Sequence, residues 1–239
     1  MASLKFDKVS VSYPVYNSRS LSLRNHLIRV STGGIIERES GRVQMVTALR
    51  DVSFQLDSGD AVGLIGHNGS GKSTLLRTMA GIYTPTTGKV LRSGRVATML
   101  DLGAGMDQEL SGYENITRMC LLMGESSSLI KQHIEEIENF TQLGDFLQMP
   151  VRTYSSGMLT RLIFAISTST RPDILLVDEI FGLGDVEFQE QAQERMDALI
   201  SSVGIFVLAS HFGEIIKHYC NRFFRLEHGV LTECGREDF

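Results

Sequence analysis

Long apolar runs are missing from this chain. No stretch of its 239 residues approaches the length of a membrane span, so any work at a membrane falls to a partner. The opening residues Met1 to Asp7 carry no apolar run of the kind a secretory signal needs, and no signal peptide is expected. Cysteine is scarce. Cys120, Cys220 and Cys234 are scattered and odd in number, which suits reduced thiols in a cytosolic protein rather than a disulfide framework or a zinc site. Positive charge is not in excess either. A formal net charge of -5 and a pI near 5.7 weigh against a nucleic-acid binder that relies on bulk charge, and no nucleic-acid partner is expected. Neither an internal repeat nor a low-complexity tract is present. A hydrophobic share of 42% remains, normal for a globular core, in a chain long enough for one large α/β domain or two small ones.

What is present reads first as strands. Lys5 to Ser12 carries apolar residues at Phe6, Val9 and Val11, and Val52 to Leu56 alternates in the same manner. Ala61 to Ile65, Ile174 to Val177 and Ile205 to Ala209 are short unbroken apolar runs, the pattern of buried strands. Phe223 to Leu226 and Val230 to Thr232 are joined by His228-Gly229, a hairpin turn signal. The middle, from about Leu110 to Ala165, is rich in helix formers. A single helix is expected over Leu129 to Leu147, with Ile134, Ile137 and Phe140 on one side. Between the first two strands lies a polar segment from Pro14 to Gln44 that carries Arg19, Arg24, Arg29, Arg38 and Arg42. Leu23, Leu27 and Val30 recur there at helical spacing and predict a short amphipathic helix.

The run Gly66-His67-Asn68-Gly69-Ser70-Gly71-Lys72-Ser73 fills every fixed position of the phosphate-binding loop G-x-x-x-x-G-K-[ST]. It follows the apolar run Ala61 to Ile65 and precedes Thr74 to Ala80, a helix former that Gly81 stops. Glycines there let backbone N–H groups turn toward phosphate oxygens, and the helix N-terminus adds its positive dipole end. Lys72 would reach the β- and γ-phosphates, and the Ser73 hydroxyl would bind Mg²⁺. A nucleoside triphosphate is therefore the expected ligand. Ile174 to Val177 runs into Asp178 and Glu179, a Walker B pattern. Asp178 is expected to hold Mg²⁺, and Glu179 to orient or deprotonate an attacking water. His211 follows the apolar run Ile205 to Ala209, at a strand end where it could touch the γ-phosphate.

Tyr154-Ser155-Ser156-Gly157-Met158 lies between these two motifs, just ahead of a helix, where small residues can form an anion site. By itself it could be a plain helix cap. In this position it resembles the signature of ABC transporter nucleotide-binding subunits, Leu-Ser-Gly-Gly-Gln. Ser155 and Gly157 match, while Tyr154, Ser156 and Met158 depart. The departures themselves resemble the ABC ATPases that export O-antigen, capsule and teichoic-acid polysaccharides. So do Leu102 to Met106 ahead of Glu109 to Ile116, and Val177-Asp178-Glu179 running on to Gly184-Asp185-Val186-Glu187.

The resemblance covers nearly the whole chain. It implies an α/β P-loop fold, an ABC-type nucleotide-binding domain with a RecA-like core and an antiparallel β subdomain. A helical subdomain is inserted at about 105–170 in a single domain over 1–239, without the C-terminal carbohydrate-binding domain that some relatives carry. It implies an ATPase using ATP and Mg²⁺, with Gly66 through Ser73 and Thr74 holding ATP. It implies a head-to-tail homodimer in which Ser155, Ser156 and Gly157 contact the partner's nucleotide and the D-loop residues Gly184 and Asp185 cross the interface. Tyr13 stands at the usual place of the aromatic that stacks on adenine, with a plain strand-end tyrosine as the alternative. The usual Q-loop glutamine is not evident: Asp101 stands in its region, and Gln108 belongs to the later loop. The expected work is export of lipid-linked O-antigen across the inner membrane, from its cytoplasmic face and with an integral-membrane permease. Capsule or teichoic-acid export and a soluble non-transport ABC protein are the alternatives. The basic segment either faces that membrane partner or is a solvated loop.

Overall fold

A computed structural model describes residues 1–15, 44–100, 103–178 and 186–238. The amphipathic stretch expected at Leu23, Leu27 and Val30 and the five arginines around it lie outside the described residues.

Three strands, β1 (Ser3–Val15), β2 (Gln44–Asp57) and β4 (Thr87–Ser93), form an antiparallel sheet in the order β2-β1-β4. Leu4 and Phe6 are buried, and then the parity changes. Lys8 adopts φ 48°, the pairing with β2 slips between Phe6 and Val9, and Val9 and Val11 become the buried residues. This bulge explains why the apolar positions fall at 6, 9 and 11 instead of strictly alternating.

The second sheet contains β3 (Ala61–Ile65), β5 (Val96–Met99), β6 (Ile174–Asp178), β7 (Ile205–Ala209), β8 (Arg222–Glu227) and β9 (Val230–Cys234), in the order β5-β6-β7-β3-β8-β9. Its pairings are parallel except for the final β8–β9 hairpin. Strands of parallel sheets are covered on both faces, which is why they read as unbroken apolar runs. Every residue of Ile174 to Val177 and of Ile205 to Ala209 is buried. The hairpin turns at His228 (φ 50°) and Gly229 (φ 81°), the pair of left-handed residues that a two-residue turn of this hand requires.

On one face, helix α1 (Lys72–Ala80) packs with the antiparallel sheet in a core that includes Phe6, Leu64, Leu75, Leu76 and Val207. On the other face lies a second core. Phe188 of α5 (Val186–Ser202) and Ile216 of α6 (Gly213–Tyr219) pack there with Phe206. Helices α2 (Gly112–Leu122), α3 (Ser127–Thr141) and α4 (Ser156–Ser167) gather around a third cluster that includes Ile116, Ile137, Leu147 and Leu162.

The helix expected over Leu129 to Leu147 is shorter than that. It ends at Thr141, because Gln142 takes the left-handed conformation (φ 54°) and its N–H bonds back to Glu138 O. Gly144 is left-handed as well (φ 52°), and a 3₁₀ turn follows over Gly144–Gln148. Leu143 and Leu147 reach the third cluster through this turn and not along a continued helix.

Candidate active site

Two glycines of the phosphate loop, Gly66 and Gly71, are fixed by close backbone approaches. Gly71, at the N-cap of α1, has φ 112°, and a β-carbon there would stand 2.5 Å from Ala48 O. A β-carbon on Gly66 would stand 2.4 Å from Leu226 O and 2.5 Å from Ser70 Oγ. Only glycine fits either position. The β8–β9 turn braces the loop from outside: the Gly229 N–H donates to Ser70 O at 3.1 Å, and Gly229 O accepts from the Arg50 N–H at 2.8 Å. The His67 and His228 rings lie 5.1 Å apart beside it. The N-cap of α1 is glycine and offers no side chain to the first turn, which suits an anion at the positive end of that helix.

Lys72 is buried, and its Nζ donates to Gly66 O at 2.6 Å and to His67 O at 3.3 Å. A buried ammonium that spans loop carbonyls is placed to exchange them for phosphate oxygens. Ser73 Oγ donates to Asp178 Oδ2 at 2.8 Å, so the two residues expected to share a metal ion already meet, one from α1 and one from the end of β6. Two hard oxygen donors in an anion-binding cleft suit Mg²⁺. β7 lies beside β6, pairing Ala209 with Asp178, and this brings His211 to the same cleft. The cleft measures about 540 Å³ and is lined by Asn68, Gly69, Gly71, Lys72, Ser73, Thr74, Asp178 and His211, together with Ala48 and Leu100. The last two carry no local signal that marks them as site residues.

Tyr13 is partly buried. Its hydroxyl donates to Thr74 Oγ1 at 3.2 Å, and its ring meets Tyr83 edge-on with centroids 5.7 Å apart. Burial pushes its phenol above the usual range, against the Thr74 hydrogen bond. The ring therefore stands beside the first turn of α1. Glu179, Gly184, Asp185 and Asp101 lie outside the described residues. Gln108 belongs to the later loop as expected, where its carbonyl accepts from the Arg152 N–H at 3.1 Å.

None of Ser155, Ser156 and Gly157 lines the cleft. Ser155 caps α4, its Oγ accepting from the Met158 N–H at 3.2 Å. Ser155 and Ser156 are exposed. A β-carbon on Gly157 would meet only Ser155 Oγ, at 4.0 Å. Met158, where the usual signature has glutamine, packs against the third cluster.

Comparison with known proteins places this geometry. A family described as "ABC transporter" matches residues 49–182. The "O-antigen export system ATP-binding protein RfbE" of Yersinia enterocolitica is 62% identical over 233 residues, 98% of each chain. The "Teichoic acids export ATP-binding protein TagH" of Listeria monocytogenes is 37% identical over 232 residues, which span 97% of this chain and 66% of the Listeria protein. Among solved structures, a dimeric post-hydrolysis state of the ATP-binding cassette MJ0796, bound to ADP and Pi, superposes with a TM-score of 0.70 at 17% identity. That match covers 99% of this chain and 100% of the other.

Proposed function

Because this chain belongs to the ABC transporter ATPases, we propose that it is the ATP-binding subunit of an exporter that moves lipid-linked O-antigen polysaccharide across the inner membrane. The observation that carries the cargo is the 62% identity, over 98% of both chains, to an O-antigen export protein. Teichoic-acid export is the alternative cargo, and the 37% identity of that relative weighs less.

The chain is an ATPase, and the cleft supplies the parts for hydrolysis. The N–H groups at the start of α1 and the Lys72 ammonium bind the phosphates. Ser73 and Asp178 would hold Mg²⁺, which would neutralise charge on the phosphates. Glu179 takes the proton of the attacking water, and His211 contacts the γ-phosphate. Ser155, Ser156 and Gly157 act on a second ATP, held by the phosphate loop of a partner copy. Gly157 supports this reading. Among the described residues nothing needs a glycine there, since a β-carbon would meet one atom at 4.0 Å. The close approach comes from outside, where the partner's nucleotide fits. Gly184 and Asp185 cross the same interface. ATP closes the homodimer because it bridges both copies, and loss of the γ-phosphate reopens it.

No helix among the described residues is long and apolar enough to cross a membrane. The exporter role therefore assigns the chain a peripheral place on the cytoplasmic face, held by an integral-membrane permease.

The test pairs hydrolysis with cargo. Wild type hydrolyses ATP, and Glu179→Gln is expected to trap an ATP-bound dimer with hydrolysis reduced at least ~100-fold. In cells that depend on this chain, Lys72→Ala is expected to strip O-antigen from the surface while lipid-linked polymer accumulates inside. A Glu179→Gln protein that hydrolyses normally and stays monomeric removes the engine from this reading. Intact surface O-antigen with Lys72→Ala removes the cargo.

A further inference from the structure

No residue of the motif Glu109 to Ile116 lines the cleft, yet it is tied closely to the residues that lead into the signature. Ser111 and Pro150 form an antiparallel bridge. The Val151 N–H donates to Leu110 O at 3.0 Å, and the Arg152 N–H to Gln108 O at 3.1 Å. The turn itself is pinned by Asn115, which is wholly buried. Its amide nitrogen donates to the carbonyls of Asp107, Leu110 and Ser111 at 2.9, 3.2 and 3.0 Å, and its Oδ1 accepts from the Asp107 N–H at 2.8 Å. Ser111 and Glu114 close a reciprocal capping box at the start of α2.

Gly112, the first residue of that helix, leaves a notch. A β-carbon there would stand 2.5 Å from the Tyr154 hydroxyl, 2.9 Å from Leu147 Cδ2 and 3.1 Å from Leu147 Cα. The Tyr154 hydroxyl sits in this notch and donates to Phe146 O at 2.6 Å. From there the chain is extended through Tyr154 (φ -76°, ψ 147°) and Ser155 (φ -66°, ψ 162°) into α4. No residue separates the anchored tyrosine from the signature serine, so a shift of Tyr154 moves Ser155 with it.

We propose that Tyr154, seated in the notch that Gly112 leaves open, is a positioning residue that sets Ser155 and Gly157 for the partner's ATP. The proposal rests on the reading that the signature acts on a second copy's nucleotide. It gives a role to the tyrosine that stands where the usual signature has leucine, and to the Glu109–Ile116 motif that supports it. A positioning residue of this kind leaves the chain's own phosphate loop untouched, because none of these residues lines that cleft. Its effect belongs to the step in which two copies meet.

The test uses the full chain carrying Glu179→Gln and measures two quantities with MgATP: nucleotide affinity of the monomer, and the dimer dissociation constant by sedimentation. Tyr154→Phe is expected to keep the monomer's ATP affinity, with a melting temperature lowered only slightly by the lost hydrogen bond, while weakening the dimer about 10-fold, since misplacement by a fraction of an ångström at such a site is costly. Gly112→Ala is expected to weaken it further. The double variant should be no worse than Gly112→Ala alone, because the added methyl acts by displacing that hydroxyl. If Gly112→Ala does not fold, Tyr154→Phe decides the matter. Dimerisation equal to the parent's in Tyr154→Phe, or a loss of monomer ATP affinity of the same size, overturns the proposal. Ser155→Arg separates the underlying reading. If it abolishes dimerisation while Tyr154→Phe has no effect, the positioning role alone is wrong. If Ser155→Arg dimerises like the parent, the signature reading fails and the proposal goes with it.

Discussion

Gly71 and Gly157 each sit at the start of a helix, within a run of small residues, and in the sequence they look alike. Their surroundings differ. Gly71 is left-handed, with Ala48 O 2.5 Å from where a β-carbon would be, and Gly66 is closed in by Leu226 O in the same manner. Among the described residues, only one hydroxyl, at 4.0 Å, comes near a β-carbon on Gly157. The phosphate loop thus answers to its own chain, held between β2, the β8–β9 turn and α1. The signature turn is anchored behind, through Tyr154, and bare in front. A glycine that the native fold explains is part of the scaffold. One that the fold does not explain points to something that arrives.

The sharpest way to break this contrast is to add the same methyl group at both places. Gly71→Ala is expected to abolish ATP binding, with affinity down at least ~100-fold, because the residue must leave its left-handed conformation or displace β2. Gly157→Ala is expected to fold normally and bind ATP in the isolated chain within about 2-fold of wild type. Its steady-state hydrolysis should fall ~100-fold, the scale on which a single transition-state contact is lost. Titration of each variant with a fluorescent ATP analogue, beside its turnover rate, checks both. If Gly157→Ala loses ATP affinity in the monomer, the two turns are not different in kind.

The same contrast governs how much was legible in the sequence. The phosphate loop is a local device: its strand, glycines and helix start are contiguous, Gly81 ends the helix, and Lys72 and Ser73 reach Gly66 O and Asp178. The convergence of Asp178 and His211 on it was not legible, because the apolar runs mark buried strands without saying that β6 and β7 are neighbours. The hairpin at His228-Gly229 was readable as a turn, but its grip on Ser70 O was not, because no spacing rule relates residues 70 and 229. The end of α3 was hidden for a different reason. Gln142, not a glycine, is the residue that enters the left-handed region, and although Gly144 follows two residues on, the apolar residues Leu143 and Leu147 keep a helical spacing across the break. Gly112 looked like part of a family motif, and only the fold reveals the tyrosine hydroxyl in its notch.

A smaller effect should separate the two regions by stability. Asn115 is fully buried and makes four hydrogen bonds that hold the turn behind the signature. Asn115→Leu removes all four, at a cost of about 3 kcal/mol. The melting temperature should fall accordingly. Well below that temperature, ATP affinity in the monomer should be unchanged, because the turn does not touch the phosphate loop. A drop in that affinity parallel to the drop in stability would mean that the turn and the loop respond as one unit.

The smallest expected effect is also the most direct probe of whether the regions open separately. Cys120 lies in the cluster of α2 to α4, behind the signature, and Cys220 lies under β3, the strand that feeds the phosphate loop. Burial pushes the Cys120 thiol up to about 11 and the Cys220 thiol up to about 12. Since the thiolate is the reactive form, neither should label at neutral pH until its surroundings open. With Cys234 replaced by serine, the labelling rate of each thiol then reports local opening. ATP binds the phosphate loop and stabilises whatever opens together with it, by an amount set by its concentration over its dissociation constant. At concentrations too low for dimerisation, saturating ATP should therefore slow labelling of Cys220 several-fold and leave Cys120 almost unaffected. When dimerisation is allowed in Glu179→Gln, protection should extend to Cys120, because the signature then has its partner. Equal protection of both thiols in the monomer would show that the chain opens as a single body and that the division drawn from Gly71 and Gly157 ends at the glycines themselves.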